Sequence, residues 1–246
     1  MHGRLKNKLR LPLESIEESS ESKIHLSLGI LNHSLGKILL PAQISLFHGP
    51  ERAPLSILAH SFAISAVRGN DSICVFLDSG SNYSSMLART FCSSSTESSD
   101  FLKRIIIGQV LGLDDLVDKI EQLQNMDQVS LVILDSLTGT LNLTGAPGEK
   151  GRQRTLFGAL DSMRHLINCL DTHVMITDHS ARNWGSGIQQ PIGGNVLSHA
   201  VDSVILVDRL RPHDDVFRIL IERTSISSPP PGVILRINTK GIHSIR

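Results

Sequence analysis

Apolar residues in this chain fall into short, dense runs. QISLFH (43–48), SICVFLD (72–78), RIIIGQV (104–110), SLVILD (130–135) and HVMITD (173–178) each have the length of a strand. Their Val, Ile and Leu residues follow one another instead of alternating with polar ones, as in strands buried on both faces. Segments with helical spacing of apolar positions lie between them, at 55–68, 83–91, 112–124 and 152–170. Strands alternating with helices predict an α/β fold with a mostly parallel central sheet flanked by helices. The pattern changes after residue 200. SVILVDRL, VFRILIERTS and GVILRINTKGI follow one another with only RPHDD (211–215) and SSPPPG (227–232) between them. Such turn signals predict hairpins added at one edge of the sheet, a C-terminal antiparallel β-meander. No internal repeat is visible.

The first residues break this pattern. MHGRLKNKLR is basic, and ESIEESSESK is acidic and Ser-rich. Residues 1–22 therefore read as a flexible tail or short surface helix, and 23–246 as one core domain. A chain of 246 residues with 40% apolar and 20% charged residues is long enough for a large core and ordinary for a globular protein. Lys plus Arg balance Asp plus Glu at 24 each, so any contact with nucleic acid must be local. The three cysteines, Cys74, Cys92 and Cys169, fit no zinc or disulfide framework, and Cys74 and Cys169 are expected in the core. No apolar run approaches the roughly 18 residues of a membrane span, and the N-terminus lacks the apolar stretch of a secretory signal. These features predict an intracellular protein, cytoplasmic or nucleoid-associated, without a membrane partner. The sequons at Asn32, Asn70, Asn82 and Asn142 are then expected to be unused. No His cluster has metal-ligand spacing, so no metal is predicted.

One junction carries candidate chemistry. GPERAPLS (49–56) follows the first strand and opens an apolar helical segment, where a phosphate loop would read GxxxxGK[ST]. Gly49 and Ser56 match the ends of that motif, whereas Pro54 and Leu55 stand where Gly and Lys belong. A phosphate loop needs converging backbone N–H groups and a cation, and Pro54 offers no N–H. Arg52 is the one cation in the stretch and comes three positions early. Taken alone, GPERAPLS reads as a strand–helix turn. Asp135, ending the strand SLVILD, stands where a nucleoside triphosphatase orients its Mg²⁺ shell.

The third quarter of the chain is more specific. HVMITDHSARNWGSGIQQPIGGNVLSHAVDSVILVDRL (173–210) resembles the RecA/RadA recombinase family. In that family a strand ends in Thr-Asn-Gln, a mobile loop follows, and then PxGGN opens a helix that leads to an edge strand. Here Thr177-Asp178-His179, the loop 180–190, PIGGN (191–195) and LSHA (197–200) occupy those places. SLGILNHSLGKILLPAQISLFHG (27–49), GEKGRQRTLFGALDSMRHLI (148–167) and FRILIERTSISSPPPGVILRINTKGI (217–242) are similar to the family's lead-in, its post-Walker-B helix and its closing meander. The resemblance spans about 25–245 and is closest to archaeal RadA, the eukaryotic recombinases and their paralogues. It implies a RecA-like P-loop NTPase core. The family's N-terminal helical domain has no counterpart here, and no polymerisation motif is evident in the tail.

The departures from the family share a direction. Leu55 holds the Walker A Lys position, LDSGSNYSSML (77–87) lacks the catalytic Glu, His179 replaces the γ-phosphate-sensing Gln, and RTSISSPPPG (223–232) lacks the capping Asp. Phosphoryl transfer needs these parts together. The resemblance thus implies a pseudo-ATPase with no catalytic residue, whose residual nucleotide positions are Gly49, Ser56 and Asp135. No cofactor is expected, ATP and Mg²⁺ binding only if the altered loop still holds them. In the family the loops corresponding to 138–151 and 179–192 face single-stranded DNA. The matching candidates are Lys150, Arg152 and Arg154 in the first, and Arg182, Trp184, Gly193, Gly194 and Asn195 in and after the second. The implied partners are an active RadA-type recombinase or another paralogue, in a homo- or hetero-oligomer, and single-stranded DNA. The implied role is accessory, in homologous recombination and DNA repair. A DNA-dependent ATPase with an unusual phosphate loop, charged through Arg52, is the alternative.

Overall fold

A computed structural model describes residues 22–68, 71–92, 95–145, 148–182, 189–225 and 232–245. The tail expected over 1–22 lies outside these residues except for Ser22. In chain order the elements are α1 (Gly29–Leu35), β1 (Gln43–Gly49), α2 (Arg52–Val67), β2 (Ile73–Asp78), α3 (Ser85–Arg89), α4 (Ser95–Lys103) and β3 (Ile105–Gln109). Then follow α5 (Leu113–Leu123), β4 (Val129–Asp135), α6 (Leu137–Leu143), α7 (Gly148–Leu170), β5 (His173–Arg182) and β6 (Gln189–Pro191). α8 (Gly194–Ala200), β7 (Ser203–Arg209), β8 (Val216–Arg223), β9 (Val233–Asn238) and β10 (Gly241–Ser244) complete the chain.

All strands but β6 form one sheet in the order β10-β9-β8-β7-β1-β5-β4-β2-β3, and β6 pairs with β5. From β7 to β3 the pairs are parallel, and from β7 to β10 they are antiparallel. This is the α/β core with a C-terminal meander that the hydrophobic pattern predicts. β4 is buried at every position, as its unbroken SLVIL run requires, while β9 alternates buried and exposed because one face meets solvent. α2 is buried along nearly its whole length from Pro54 to Val67. α2 packs in one core layer with Phe47, Phe76 and the meander, and α5 and α7 fill the other with Leu46, Val132 and Ile176. α5 shows how the second layer is coded: Leu113, Leu116, Ile120 and Leu123 form its buried stripe, and Asp114 and Asp115 sit in its first turn, favouring the helix dipole.

Several boundaries differ from the pattern. α2 begins at Arg52, so most of GPERAPLS is the first turn of a helix instead of a turn between elements. β5 runs on to Arg182 because Ser180, Ala181 and Arg182 pair with Pro191, Gln190 and Gln189. The stretch 138–151 is mostly helical, in α6 and α7. Cys74 is buried as expected, but Cys169 is exposed, since Met163, Leu166 and Ile167 occupy the core stripe of α7 and Cys169 falls outside it. Among the described residues no helix is long and apolar enough to cross a membrane.

Candidate functional site

The carboxyl ends of β1, β5, β4 and β2 lie side by side, the place where open α/β sheets bind ligands. At the end of β1 only Pro50 and Glu51 separate strand from helix. A phosphate cradle is built from successive N–H groups, and of these two residues Pro50 has none. Leu55 is 2% exposed and belongs to the core cluster. Gly49 is explained by packing: a Cβ there would lie 2.3 Å from the Val207 carbonyl oxygen on β7.

Ser56 and Asp135 do meet. Ser56 Oγ donates to Asp135 Oδ2 at 2.7 Å, and Thr177 Oγ1 donates to Asp135 Oδ1 at 2.7 Å. Both carboxylate oxygens are thus engaged by hydroxyls, and burial pushes the Asp135 carboxyl above its usual range. Asp78, at the end of β2, accepts backbone N–H bonds from Gly80, Asn82 and Tyr83 at 2.9–3.0 Å. Its carboxylate shapes the following turn. Asn82 donates to the Asp135 carbonyl at 3.0 Å, and Arg52 donates to Asn82 Oδ1 at 2.7 Å. Arg52 therefore bridges the start of α2 to the loop after β2.

His60 fastens the same two segments from beneath. Its Nδ1 lies 2.7 Å from the Ser56 carbonyl oxygen, and the Ser84 N–H donates to its Nε2 at 2.9 Å. The carbonyl can only accept, so the network assigns the proton to Nδ1 and leaves the ring neutral. Burial lowers the pKa of His60, in keeping with that form. On the other side, Glu51 and Arg209 pair through both carboxylate oxygens, which holds the Glu51 carboxyl below its usual range. The guanidinium of Arg209 also lies 4.6 Å from the ring centre of Phe217. This pair bolts the short β1–α2 connection to the end of β7.

Asp178 is a second junction. It is buried, and accepts from Thr138 Oγ1 on α6 and from the Gly193 N–H at 3.1 Å. The His179 N–H donates to Thr138 Oγ1 at 3.0 Å. Asp178 thereby ties the start of PIGGN and α6 to β5, and burial pushes its carboxyl up. His48, buried beside Asp178 in the β1–β5 register, pairs with Glu222 at 2.8 Å.

The structure thus brings together Ser56 and Asp135, while Gly49 packs against the backbone of the neighbouring strand β7. Arg152 and Arg154 are exposed on α7, and Lys150 is in its first turn. Gly193 and Gly194 start α8, with Gly194 at φ 65°, a left-handed conformation suited to glycine. Asn195 lies in α8 and Arg182 ends β5, while Trp184 lies outside the described residues. The sequence assigned no role at the site to Thr177, Thr138, Asn82 or His60; the Asp-ended strands were the one signal that polar partners would be needed there. Among the described residues no group of three or more His, Cys, Asp or Glu side chains is placed to hold a metal ion.

The Rad51 family model matches residues 30–244 of the chain. A crystal structure of the RadB recombinase superposes with a TM-score of 0.70 at 16% identity, over 88% of this chain and 96% of that one. No curated protein sequence matches the chain.

Proposed function

The chain belongs to the Rad51 family, and on that premise we propose that it is a non-hydrolysing recombinase paralogue, an accessory factor of homologous recombination and DNA repair. It binds an active recombinase or a second paralogue, and single-stranded DNA. One observation carries this reading: α2 starts at Arg52, so Leu55 points into the core where a cation would face the phosphates. Phosphoryl transfer is almost wholly positioning and charge neutralisation, and needs the cradle, the cation, the metal shell and the water-positioning group at once. Here Pro54 has no N–H, Leu55 no charge, and the Asp78 carboxylate is consumed by its turn. Ser56 and Asp135 fit a Mg²⁺ shell by donor type, yet satisfy one another directly.

The altered face is then a docking surface. In the family this site lies between subunits, so a paralogue can keep the contact without turnover. The single-stranded DNA part of the reading is supported by the resemblance of the segments before α7 and before α8, and by the exposed Arg152 and Arg154. Size-exclusion chromatography with light scattering, on the protein alone and mixed with its host's active recombinase, tests the proposal. A discrete mixed complex is expected. Separate elution with and without ATP would refute the accessory role.

A second reading has one observation in its favour. Arg52 reaches across the mouth of the site to Asn82, passing over Gly80. An ATPase in which Arg52 supplies the missing charge would lose nucleotide affinity in Arg52→Ala; unchanged affinity eliminates it.

A further inference from the structure

Two adjoining cavities open on the flank where α7 meets α8. One, of 390 Å³, is lined by Phe157, Val196, His199 and Ala200. The other, of 280 Å³, shares Phe157, His199 and Ala200 and adds Leu160, Asp161 and Arg164. The first is close to the lower end of the range for small-ligand clefts, about 300–1,000 Å³. Phe157 forms part of the wall of both and is 61% exposed. The packing of α7 does not rest on it: Leu156 and Leu160, on either side, are buried and belong with Leu197 of α8 to one core cluster, whereas Phe157 does not. What sets Phe157 apart from a lone surface hydrophobic is that it shares the wall of both cavities with His199 and Ala200.

We propose that this cleft is a nucleobase slot for single-stranded DNA, an inference that rests on the DNA-binding reading above. A nucleobase has two apolar faces and a polar edge, and the cleft offers both kinds of wall. Phe157 and the exposed His199 ring are stacking surfaces, completed by Val196 and Ala200. Asp161 is an acceptor for an exocyclic amino group. Arg164 is already held by Asp202 at 2.8 Å and by the Ala200 carbonyl at 2.7 Å, so the polar wall is fixed in place. The charge pattern selects the occupant. Arg154 lies three residues before Phe157, on the same helix face one turn away, and Arg152 is exposed just before it. A phosphate held by Arg154 places the attached base within reach of the ring. An apolar side chain of a protein partner would fill the slot but would leave these cations unused.

Binding of a short single-stranded DNA carrying a fluorescent adenine analogue tests this, with anisotropy reporting affinity and quenching reporting stacking. Wild-type protein should bind and quench. Phe157→Ala and Phe157→Leu should each lose quenching and about tenfold in affinity, on the scale of one base–aromatic stack. Phe157→Trp should keep both. Because Phe157 is exposed, unchanged thermal unfolding should accompany all three. Wild-type binding with unaltered affinity and quenching in Phe157→Ala overturns the slot and leaves the DNA reading standing. No binding by wild type overturns the DNA reading and the slot with it. Intact DNA binding with a lost recombinase complex in Phe157→Ala assigns the cleft to a protein instead and likewise overturns the proposal.

Discussion

Leu55 decides more than any other single residue. It stands where a phosphate loop has lysine, yet its side chain is part of the core beside Leu58 and Phe62. Leu55→Lys should therefore not restore a nucleotide site. It should place an unpaired ammonium in an apolar layer, at a cost on the order of 3 kcal/mol, read as a lower denaturation midpoint. A stable Leu55→Lys protein that gains ATP binding would show that the loop is a live site. A second residue sets the acid response. His173 is buried, with Nδ1 2.8 Å from the Leu40 carbonyl and Nε2 2.8 Å from Ser45 Oγ, and burial lowers its pKa to about 4. The folded protein holds this ring neutral, while the unfolded chain protonates it near pH 6.5. Its contribution is thus present above about pH 6.5 and is lost as pH falls towards 4, up to a limit on the order of 3 kcal/mol. Asp135 and Asp178, both raised by burial, act in the opposite sense, since protonation relieves them. The destabilisation caused by His173→Gln should therefore shrink as pH falls from 6.5 towards 4, because only the wild-type protein loses this contribution, while His60 and the two carboxyls are common to both proteins. A midpoint difference between the two proteins that stays constant across that window would contradict the assignment.

At the scale of elements, the order of strands and helices was legible because parallel strands buried on both faces write themselves as unbroken apolar runs. The meander was legible because its strands lack intervening helices and are set apart by Pro- and Gly-rich turns. Short helices were not. α1 and α6 have seven residues each, too few to show a period, and α4 is Ser-rich and polar. The extension of β5 depends on its pairing with β6, a tertiary fact absent from either segment alone. The candidate site was half legible: Ser56 and Asp135 sit at motif spacings, whereas Thr177, Thr138 and Asn82 act through contacts made only in the fold. Gly49 shows the reverse case, a motif glycine whose demand comes from its neighbour strand. Gly49→Ala would push a methyl group against the Val207 backbone and should cost about 1–3 kcal/mol by forcing β1 and β7 apart. An unchanged melting temperature in that variant would mean the two strands have room to spare.

For the whole molecule, the sheet order and the meander frame one junction, between β1 and α2, at which Leu55 belongs to the core. The sheet, the PIGGN segment and the meander keep their places, and the carboxylates at the strand ends are satisfied by the protein itself. The Glu51–Arg209 pair and the Arg52–Asn82 bond span the mouth from both sides. On the proposed reading, such a molecule would keep a docking surface and carry out no hydrolysis. The most direct test is ATP hydrolysis by the purified protein with Mg²⁺, with and without single-stranded DNA, beside a Ser56→Ala control. The account predicts turnover at the level of the buffer blank in every condition, identical for both proteins. DNA-stimulated hydrolysis that disappears in Ser56→Ala would contradict it and make this chain a working ATPase.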